Sequence, residues 1–199
     1  MQRNLEYYSL WDDHFRFRMT PVPGDLSEPY LGLAMEQFQT LATQVDTIYH
    51  NGAWVNWVQP YHALKATNVH GTQEVLRLAS QMKVKPVHFT STLAVFPFSG
   101  EAFREQDNLD HKKYLYGGYA QSKWVAEKLV TMARSRGLPI CIYRPSVVTG
   151  QSQTGCFNTD AYLENMIKGC IHLGYVPTID SIVDMVPVDL GCLKSASRA

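Results

Sequence analysis

The sequence predicts an α/β fold, a doubly wound parallel sheet, on three observations. Short apolar runs at residues 45–50, 84–90 and 139–143 alternate with stretches of helical periodicity. Strand–helix–strand alternation is the signature of parallel βαβ units with right-handed crossovers. The runs end on small, polar or turn-forming residues, namely His50-Asn51-Gly52-Ala53, Thr90-Ser91-Thr92 and Tyr143-Arg144-Pro145. In open sheets of this kind, ligands bind at the carboxyl ends of the strands. The 199 residues are 45% hydrophobic, with 18 basic against 18 acidic side chains, which suits a single domain over residues 1–199 with a substantial core.

The elements follow in order. Residues 1–14 read as the end of a helix and a loop. Phe15-Arg16-Phe17-Arg18-Met19 alternates apolar with charged, a period-2 strand signal, and Pro21 to Leu26 breaks regular structure. Residues 34–44 have helical spacing, with Met35, Phe38, Leu41 and Ala42 on one side. Val45 to His50 reads as a short buried strand ending in a tight turn at Asn51-Gly52-Ala53. Pro60 opens a long helix to near Met82, since proline is tolerated where its missing N–H had no partner. Val84 to Thr90 is a second strand, and residues 97–115 form an irregular charged loop. A helix around Tyr119 runs to about Arg136, where Gly137 stops it. Pro139 to Tyr143 is a third strand, and residues 158–171 are helical again. From about Pro177 the pattern is weak.

Several function classes lose support. Zero net charge gives no electrostatic reason to expect nucleic acid or an anionic membrane as partner. The N-terminal residues lack an apolar signal core, and no stretch approaches a membrane span. Cys141, Cys156, Cys170 and Cys192 are irregularly spaced and the seven histidines form no ligand motif, so no metal site is expected. Free thiols in a reducing cytoplasm are the simplest reading.

Tyr119 and Lys123 are four apart in a helical stretch, which leaves their side chains roughly 40° apart on one face. A phenol beside an ammonium makes a proton donor, because the positive charge favours tyrosinate and lowers the phenol's pKa. A helical Tyr and Lys at this spacing are also common on solvated faces. Trp54, Trp57 and Tyr61 fit a substrate channel and core packing equally well. Ser122 has no base at fixed spacing and reads as packing.

The order of motifs raises the chemical reading. Pro23-Gly24-Asp25-Leu26-Ser27-Glu28-Pro29 is followed by His50-Asn51-Gly52-Ala53-Trp54-Val55-Asn56-Trp57. Asn68-Val69-His70-Gly71-Thr72 comes next, then Thr90-Ser91-Thr92, Tyr119-x-x-x-Lys123 and Tyr143-Arg144-Pro145-Ser146-Val147-Val148-Thr149-Gly150. In this order the chain, over about residues 15–190, resembles the extended short-chain dehydrogenase/reductases. Within them it resembles the thioester reductase domains that close nonribosomal peptide and polyketide synthases and carboxylic acid reductases.

The resemblance implies a Rossmann-like fold and NADP as cofactor, with NAD the lesser alternative. The reaction it implies is reduction of an acyl or peptidyl thioester, carried on a phosphopantetheine carrier domain, to an aldehyde or onward to an alcohol. It gives Thr92 the role of hydroxyl donor to the substrate carbonyl, with Ser91 the alternative if the register slips by one. Tyr119 is the proton donor, and Lys123 holds the nicotinamide ribose. Asp25 and Leu26 flank the adenine, Asn51, Gly52 and Ala53 line the cofactor's path, Asn68 lies near the site, and Pro145 approaches the nicotinamide. Fatty acyl reductases and nucleotide-sugar epimerases or dehydratases of the same superfamily are the alternatives.

The chain also departs from the family pattern. A strand, a Gly-x-x-Gly-x-x-Gly turn and a helix normally come first, and the turn lets the backbone approach the pyrophosphate. No two glycines before Gly71 are three apart, and Phe15 to Met19 aligns with a strand that should come third. The expectation is an incomplete sheet lacking the first two βα units, roughly 60 residues. After Met185-Val186-Pro187-Val188-Asp189 the sequence does not continue the expected helix, and the C-terminal substrate lobe is largely absent. Weak binding of NADPH, or an inactive fragment, is the corresponding expectation for function.

Overall fold

The apolar alternation read from the sequence becomes a three-stranded parallel sheet with two helices packed on one face. The computed structural model describes residues 1–97, 102–110, 114–178 and 182–191. In chain order the α-helices are α1 (Gln2–Tyr7), α2 (Met35–Gln44), α3 (Tyr61–Lys65), α4 (Gly71–Ser80), α5 (Gly118–Ser135) and α6 (Tyr162–Leu173). The strands are β1 (Ile48–His50), β2 (Val87–Thr90), β3 (Ile140–Tyr143), β4 (Val147–Thr149) and β5 (Met185–Pro187). Contacts group the chain into two compact units, one built on Gly24–Ser146 and one on Met1–Pro23 with Val147–Lys194.

The first unit carries the sheet β1-β2-β3, parallel throughout, with Ile48 opposite Val87 and Val87 opposite Ile140. Successive side chains on a strand point to opposite faces. Val87, Phe89 and Ile140 therefore meet Val75 and Ala79 of α4 and Ala126 and Val130 of α5 in one core cluster. Each such apolar side chain fully removed from water stabilises the fold by about 1.5–3 kcal/mol for its larger members. On the other face His88 stacks between Tyr49 and Tyr143, at centroid distances of 4.5 and 5.9 Å. A second cluster seats Phe38 and Ala42 of α2 against Leu78 of α4. Met35, expected on the same apolar side, remains exposed.

The helix opened by Pro60 is helical from Tyr61 to Ser80 but not uniform, since Ala66–His70 is a π-helical turn between α3 and α4. Such wide turns are rare and often found at functional sites. The far end of α4 is closed by Lys85, a buried side chain whose ammonium donates to the carbonyl oxygens of Leu78, Gln81 and Lys83 at 3.0, 2.8 and 2.8 Å. Cationic donors suit the carbonyls left open at a helix C-terminus. Part of the 97–115 loop, residues 98–101 and 111–113, lies outside the described residues. Its Phe103 and Leu109 pack with Val95, Phe96 and Trp124.

Two local expectations are corrected. Phe15 to Met19 is not a strand, because Asp13–Phe17 is a 3₁₀-helix capped by the Asp12 carboxylate, which accepts the His14 N–H at 2.9 Å. Phe17 is 90% exposed, so the alternation buries nothing, and a period-2 pattern without a hydrogen-bonded neighbour has no ladder to hold it. Asn51-Gly52-Ala53 forms no hydrogen-bonded turn. The backbone there is held from a distance, by the Asn68 side chain on Trp54.

In the second unit β4 pairs with β5 in parallel, Val148 opposite Val186. Neither strand was expected from the sequence pattern. The Ser152 backbone N–H and hydroxyl donate to the Asp189 carboxylate at 2.9 and 2.7 Å, and α6 ends on Gly174 in the left-handed conformation. The tail beyond Gly191 lies outside the described residues. Among those described, no helix is long and apolar enough to cross a membrane.

Candidate active site

Helix α5 presents Tyr119 and Lys123 one turn apart on its buried face, 8% and 3% exposed. Gly118 makes that placement possible. A Cβ there would meet the Tyr61 nitrogen at 2.4 Å and the Gln59 oxygen at 2.5 Å, so only glycine lets the start of α5 rest on the start of α3. The pair is therefore not the solvated pair its spacing also allowed.

Thr92, just past β2, lies close enough to the Tyr119 phenol for its side chain to lower that phenol's pKa, and it caps the short 3₁₀ turn Leu93–Val95 by accepting the Ala94 N–H at 3.2 Å. Ser91 faces elsewhere. Its hydroxyl donates to the buried Glu127 carboxylate, as expected when consecutive extended residues point to opposite sides. Thr92, rather than Ser91, is the hydroxyl at the phenol.

The electrostatics correct one expectation. The Tyr119 phenol is pushed above its ordinary value, because burial outweighs the opposing hydrogen bond from Thr92. Lys123 does not act on the phenol as its spacing suggested. Its ammonium donates to the Thr90 carbonyl at 2.8 Å and lies 4.4 Å from the centre of the Phe89 ring. Burial lowers Lys123 to about 8, and the Glu127 carboxylate partly offsets that. His50, at the end of β1, falls to about 4, chiefly through burial and secondly through the Lys123 charge.

Asn68 sits in the π-turn and is 2% exposed. Its amide donates to the Ser122 hydroxyl at 2.9 Å and the Trp54 carbonyl at 3.1 Å, and its oxygen accepts the Trp54 N–H at 2.7 Å. Ser122 in turn donates to the Tyr119 carbonyl at 2.8 Å. Asn68 thus ties the Trp54 segment to the turn of α5 that carries Tyr119. Trp54 and Trp57 are 44% and 58% exposed, and the Trp57 ring meets Tyr119 edge-on at 5.2 Å. Trp57 borders the phenol, and neither tryptophan fills the core.

Of the remaining sequence-predicted residues, Asn51, Gly52 and Ala53 follow β1 and Pro145 follows β3, whereas Asp25 and Leu26 follow no strand. Leu26 underlies Gly52, where an added Cβ would come within 2.6 Å of Leu26 Cδ1, so these two are brought together. Asn51 and Gly52 are exposed and Ala53 half-buried. The Asp25 carboxylate accepts the Ser27 hydroxyl and N–H at 2.6 and 2.7 Å, and these bonds hold it below its ordinary pKa. The Pro145 carbonyl accepts the Leu93 N–H at 3.0 Å, which places Pro145 beside the Thr92 turn.

Glu127 and Arg144 were missed as site residues. Glu127 is fully buried and accepts Arg144 Nε and Nη2 at 2.9 and 2.6 Å. The signal was present, since Glu127 follows Tyr119 and Lys123 at the next four-residue step, on a face that continues into Ala126 and Val130.

The family model described as male sterility protein, an NAD-binding family, matches residues 1–194. A linear gramicidin synthase from Brevibacillus parabrevis is 48% identical over 195 residues, covering 95% of this chain and 4% of that protein. The L-2-aminoadipate reductase of Saccharomyces cerevisiae is 42% identical over 196 residues, covering 92% of this chain and 14% of that protein. Among solved structures, the terminal R domain of the myxalamid PKS-NRPS biosynthetic pathway superposes with a TM-score of 0.95 at 47% identity. That match covers 98% of this chain and 50% of the solved one. The chain spans a small part of the two relatives and half the solved domain.

Proposed function

The chain belongs to the male sterility protein family of NAD-binding domains, and on that premise we propose that its site reduces a carrier-bound acyl or peptidyl thioester to an aldehyde at the expense of NADPH. The observation that carries this reading is the meeting of the buried Tyr119 and Lys123 of α5 with Thr92 at the carboxyl end of β2, Lys123 donating to the Thr90 carbonyl at 2.8 Å. Similarity to a protein named as a terminal R domain of a PKS-NRPS pathway, and to a linear gramicidin synthase, supports the thioester and its phosphopantetheine carrier. Similarity to L-2-aminoadipate reductase supports reduction as the chemistry.

The overall reaction is thioester plus NADPH plus a proton giving aldehyde, thiol and NADP. The cofactor, when bound, supplies the hydride. The chain's residues supply the rest. In this reading Thr92 and Tyr119 offer their hydroxyls to the carbonyl oxygen as it becomes negative, and fixed donors at such a point lower the barrier by a few kcal/mol each. Tyr119 gives its proton to that oxygen. A phenol held above its ordinary pKa is fully protonated at neutral pH, which suits a donor. The buried Lys123 ammonium, held on the Thr90 carbonyl rather than on the phenol, is the group suited to the ribose hydroxyls.

The residues present fit the nicotinamide end of the cofactor. Pro145 borders the Thr92 turn, and the exposed Asn51-Gly52 backbone at the end of β1 offers a surface without a large side chain. Asp25 and Leu26 would lie towards the adenine, along the same edge through the Leu26–Gly52 contact. Asn68, with its amide fully engaged, serves by placing Tyr119.

The test is NADPH consumption and aldehyde formation with an acyl pantetheine thioester at millimolar cofactor, comparing the chain with Tyr119→Phe. Loss of a general acid lowers the rate by about 100-fold or more. Equal rates, or no aldehyde from the unaltered chain, would overturn the proposal.

A further inference from the structure

We propose that Glu127 is a positioning residue of this site, acting as the counter-charge of Lys123 and as the clamp on the strand end that carries Thr92. The inference rests on the reading of Thr92, Tyr119 and Lys123 as the reactive set.

The geometry is that of a junction. Glu127 is fully buried, on the face of α5 that also carries Lys123 and Tyr119. One carboxylate oxygen accepts both Arg144 contacts, at 2.9 and 2.6 Å, and the other accepts the Ser91 hydroxyl. Arg144 alone satisfies the charge of a buried carboxylate. The second oxygen is committed instead to the residue preceding Thr92. Arg144 extends the junction, donating from Nη1 to the Glu105 carbonyl at 3.0 Å and lying 4.9 Å from the centre of the Phe96 ring. The two strand ends are laced to each other as well, Ser91 N–H to the Tyr143 carbonyl at 2.6 Å and Leu93 N–H to the Pro145 carbonyl at 3.0 Å. A carboxylate on the Lys123 helix thus fixes both strand ends that flank the phenol.

The electrostatic part follows from the same placement. Lys123 is 3% exposed, and its hydrogen bond goes to a carbonyl, which carries no net charge. Among the described residues, His50 on β1 and Glu127 on α5 are coupled to its charge, Tyr119 lies one turn away on α5, and Arg144 after β3 sits on Glu127. His50, lowered by burial, and Tyr119, raised by it, are both neutral at pH 7, and Arg144 is cationic. Glu127 is the anion among them, and it opposes the effect of burial on Lys123.

The test reads Lys123 directly and needs no turnover. The 13Cε shift of Lys123 is followed against pH in lysine-labelled full chain, assigned by its loss in Lys123→Arg. In Glu127→Gln, which keeps the shape and removes the charge, the Lys123 inflection is expected to fall from about 8 by about one pH unit or more. In Arg144→Gln, which frees Glu127 from its other cation, the inflection is expected to rise. A residue that only packed would change the urea midpoint and leave the inflection in place. If Glu127→Gln does not fold, Arg144→Gln decides alone. An inflection that does not move, or moves the opposite way in either variant, overturns the proposal. The predicted shifts in a chain that makes no aldehyde would instead leave the junction standing and remove the reductase reading.

Discussion

The Lys123 ammonium donates to the Thr90 carbonyl at 2.8 Å, which ties the charged group of α5 to the strand end two residues before Thr92. The bond leaves the charge buried, and its consequence is a pH dependence of stability. Lys123 titrates near 8 in the folded chain against an ordinary value of 10.5, chiefly because burial disfavours the charged form. Between those values the unfolded chain binds the extra proton, so stability rises with pH from about 8 towards 10.5. Below pH 8 the full cost is present, about 3 kcal/mol by linkage. Tyr119, shifted upward, acts in the opposite sense only above pH 10. Unfolding free energies from urea melts at pH 7.5 and 9.5 should differ by roughly 1–2 kcal/mol in the wild type and much less in Lys123→Met. A flat wild-type profile would contradict the buried ammonium.

His50 sets an acid limit with the same sign. Its Nε2 lies 3.0 Å from the Thr72 hydroxyl, which itself donates to the Asn68 carbonyl at 2.7 Å. A hydroxyl that has given its one hydrogen must accept from the ring, so Nε2 carries a proton. Burial first, and the Lys123 charge second, lower its pKa from 6.5 to about 4. The unfolded chain therefore takes up a proton first as pH falls. Stability is fully present above pH 6.5 and declines as pH drops towards 4, by about 3 kcal/mol from this residue. Urea melts at pH 7 and 4.5 should show that loss in the wild type and a reduced loss in His50→Gln. Equal losses in both would assign the acid sensitivity elsewhere.

What the sequence disclosed, and what it hid, follows from whether a property is local. The parallel strands at 48–50, 87–90 and 140–143, and the helix carrying Tyr119 and Lys123, are set by periodicity and end signals within a few residues. Phe15 to Met19 misled because alternation marks a strand only where a neighbouring strand exists, and Asp12 supplied a turn instead. The pairing of Val147–Thr149 with Met185–Pro187 was hidden because each is three residues long, too short to show a period. The phenol's shift was misjudged because helical spacing reports which side chains share a face but not how deeply they lie. Burial reversed the sign. Glu127 was passed over for the same reason, since a helical glutamate reads as solvated until the elements around it are known.

Gly118 offers a test of the helix–helix contact that places Tyr119. Its missing side chain is filled by backbone, with the Tyr61 nitrogen at 2.4 Å and the Gln59 oxygen and Pro60 carbonyl carbon at 2.5 Å from an added Cβ. Backbone cannot swing aside as a flexible side chain does, so Gly118→Ala must push α5 away from α3. The loss is expected at about 1–3 kcal/mol, typical of overpacking, despite the better helix propensity of alanine. Urea denaturation measures it. The Trp57–Tyr119 contact should loosen at the same time, seen as a change in tryptophan fluorescence of the folded protein. Unchanged stability would show that the two helices do not pack through this residue.

Thr92→Val separates the hydroxyl from the shape. Valine keeps the branched side chain and removes the hydroxyl, whose interaction with the Tyr119 phenol lowers that phenol's pKa against burial. Without it, burial acts alone and the phenol must titrate still higher. The cap on the Ala94 N–H at 3.2 Å is lost as well, and a lost cap costs about 1 kcal/mol. Two readouts follow. The alkaline ultraviolet titration of Tyr119, isolated as the difference from Tyr119→Phe, should move upward in Thr92→Val and return in Thr92→Ser, which restores the hydroxyl. Stability should fall by about 1 kcal/mol in Thr92→Val and recover in Thr92→Ser. A phenol titration that ignores both substitutions would mean that Thr92 serves only its own turn, and the two-donor arrangement at the substrate oxygen would lose its second member.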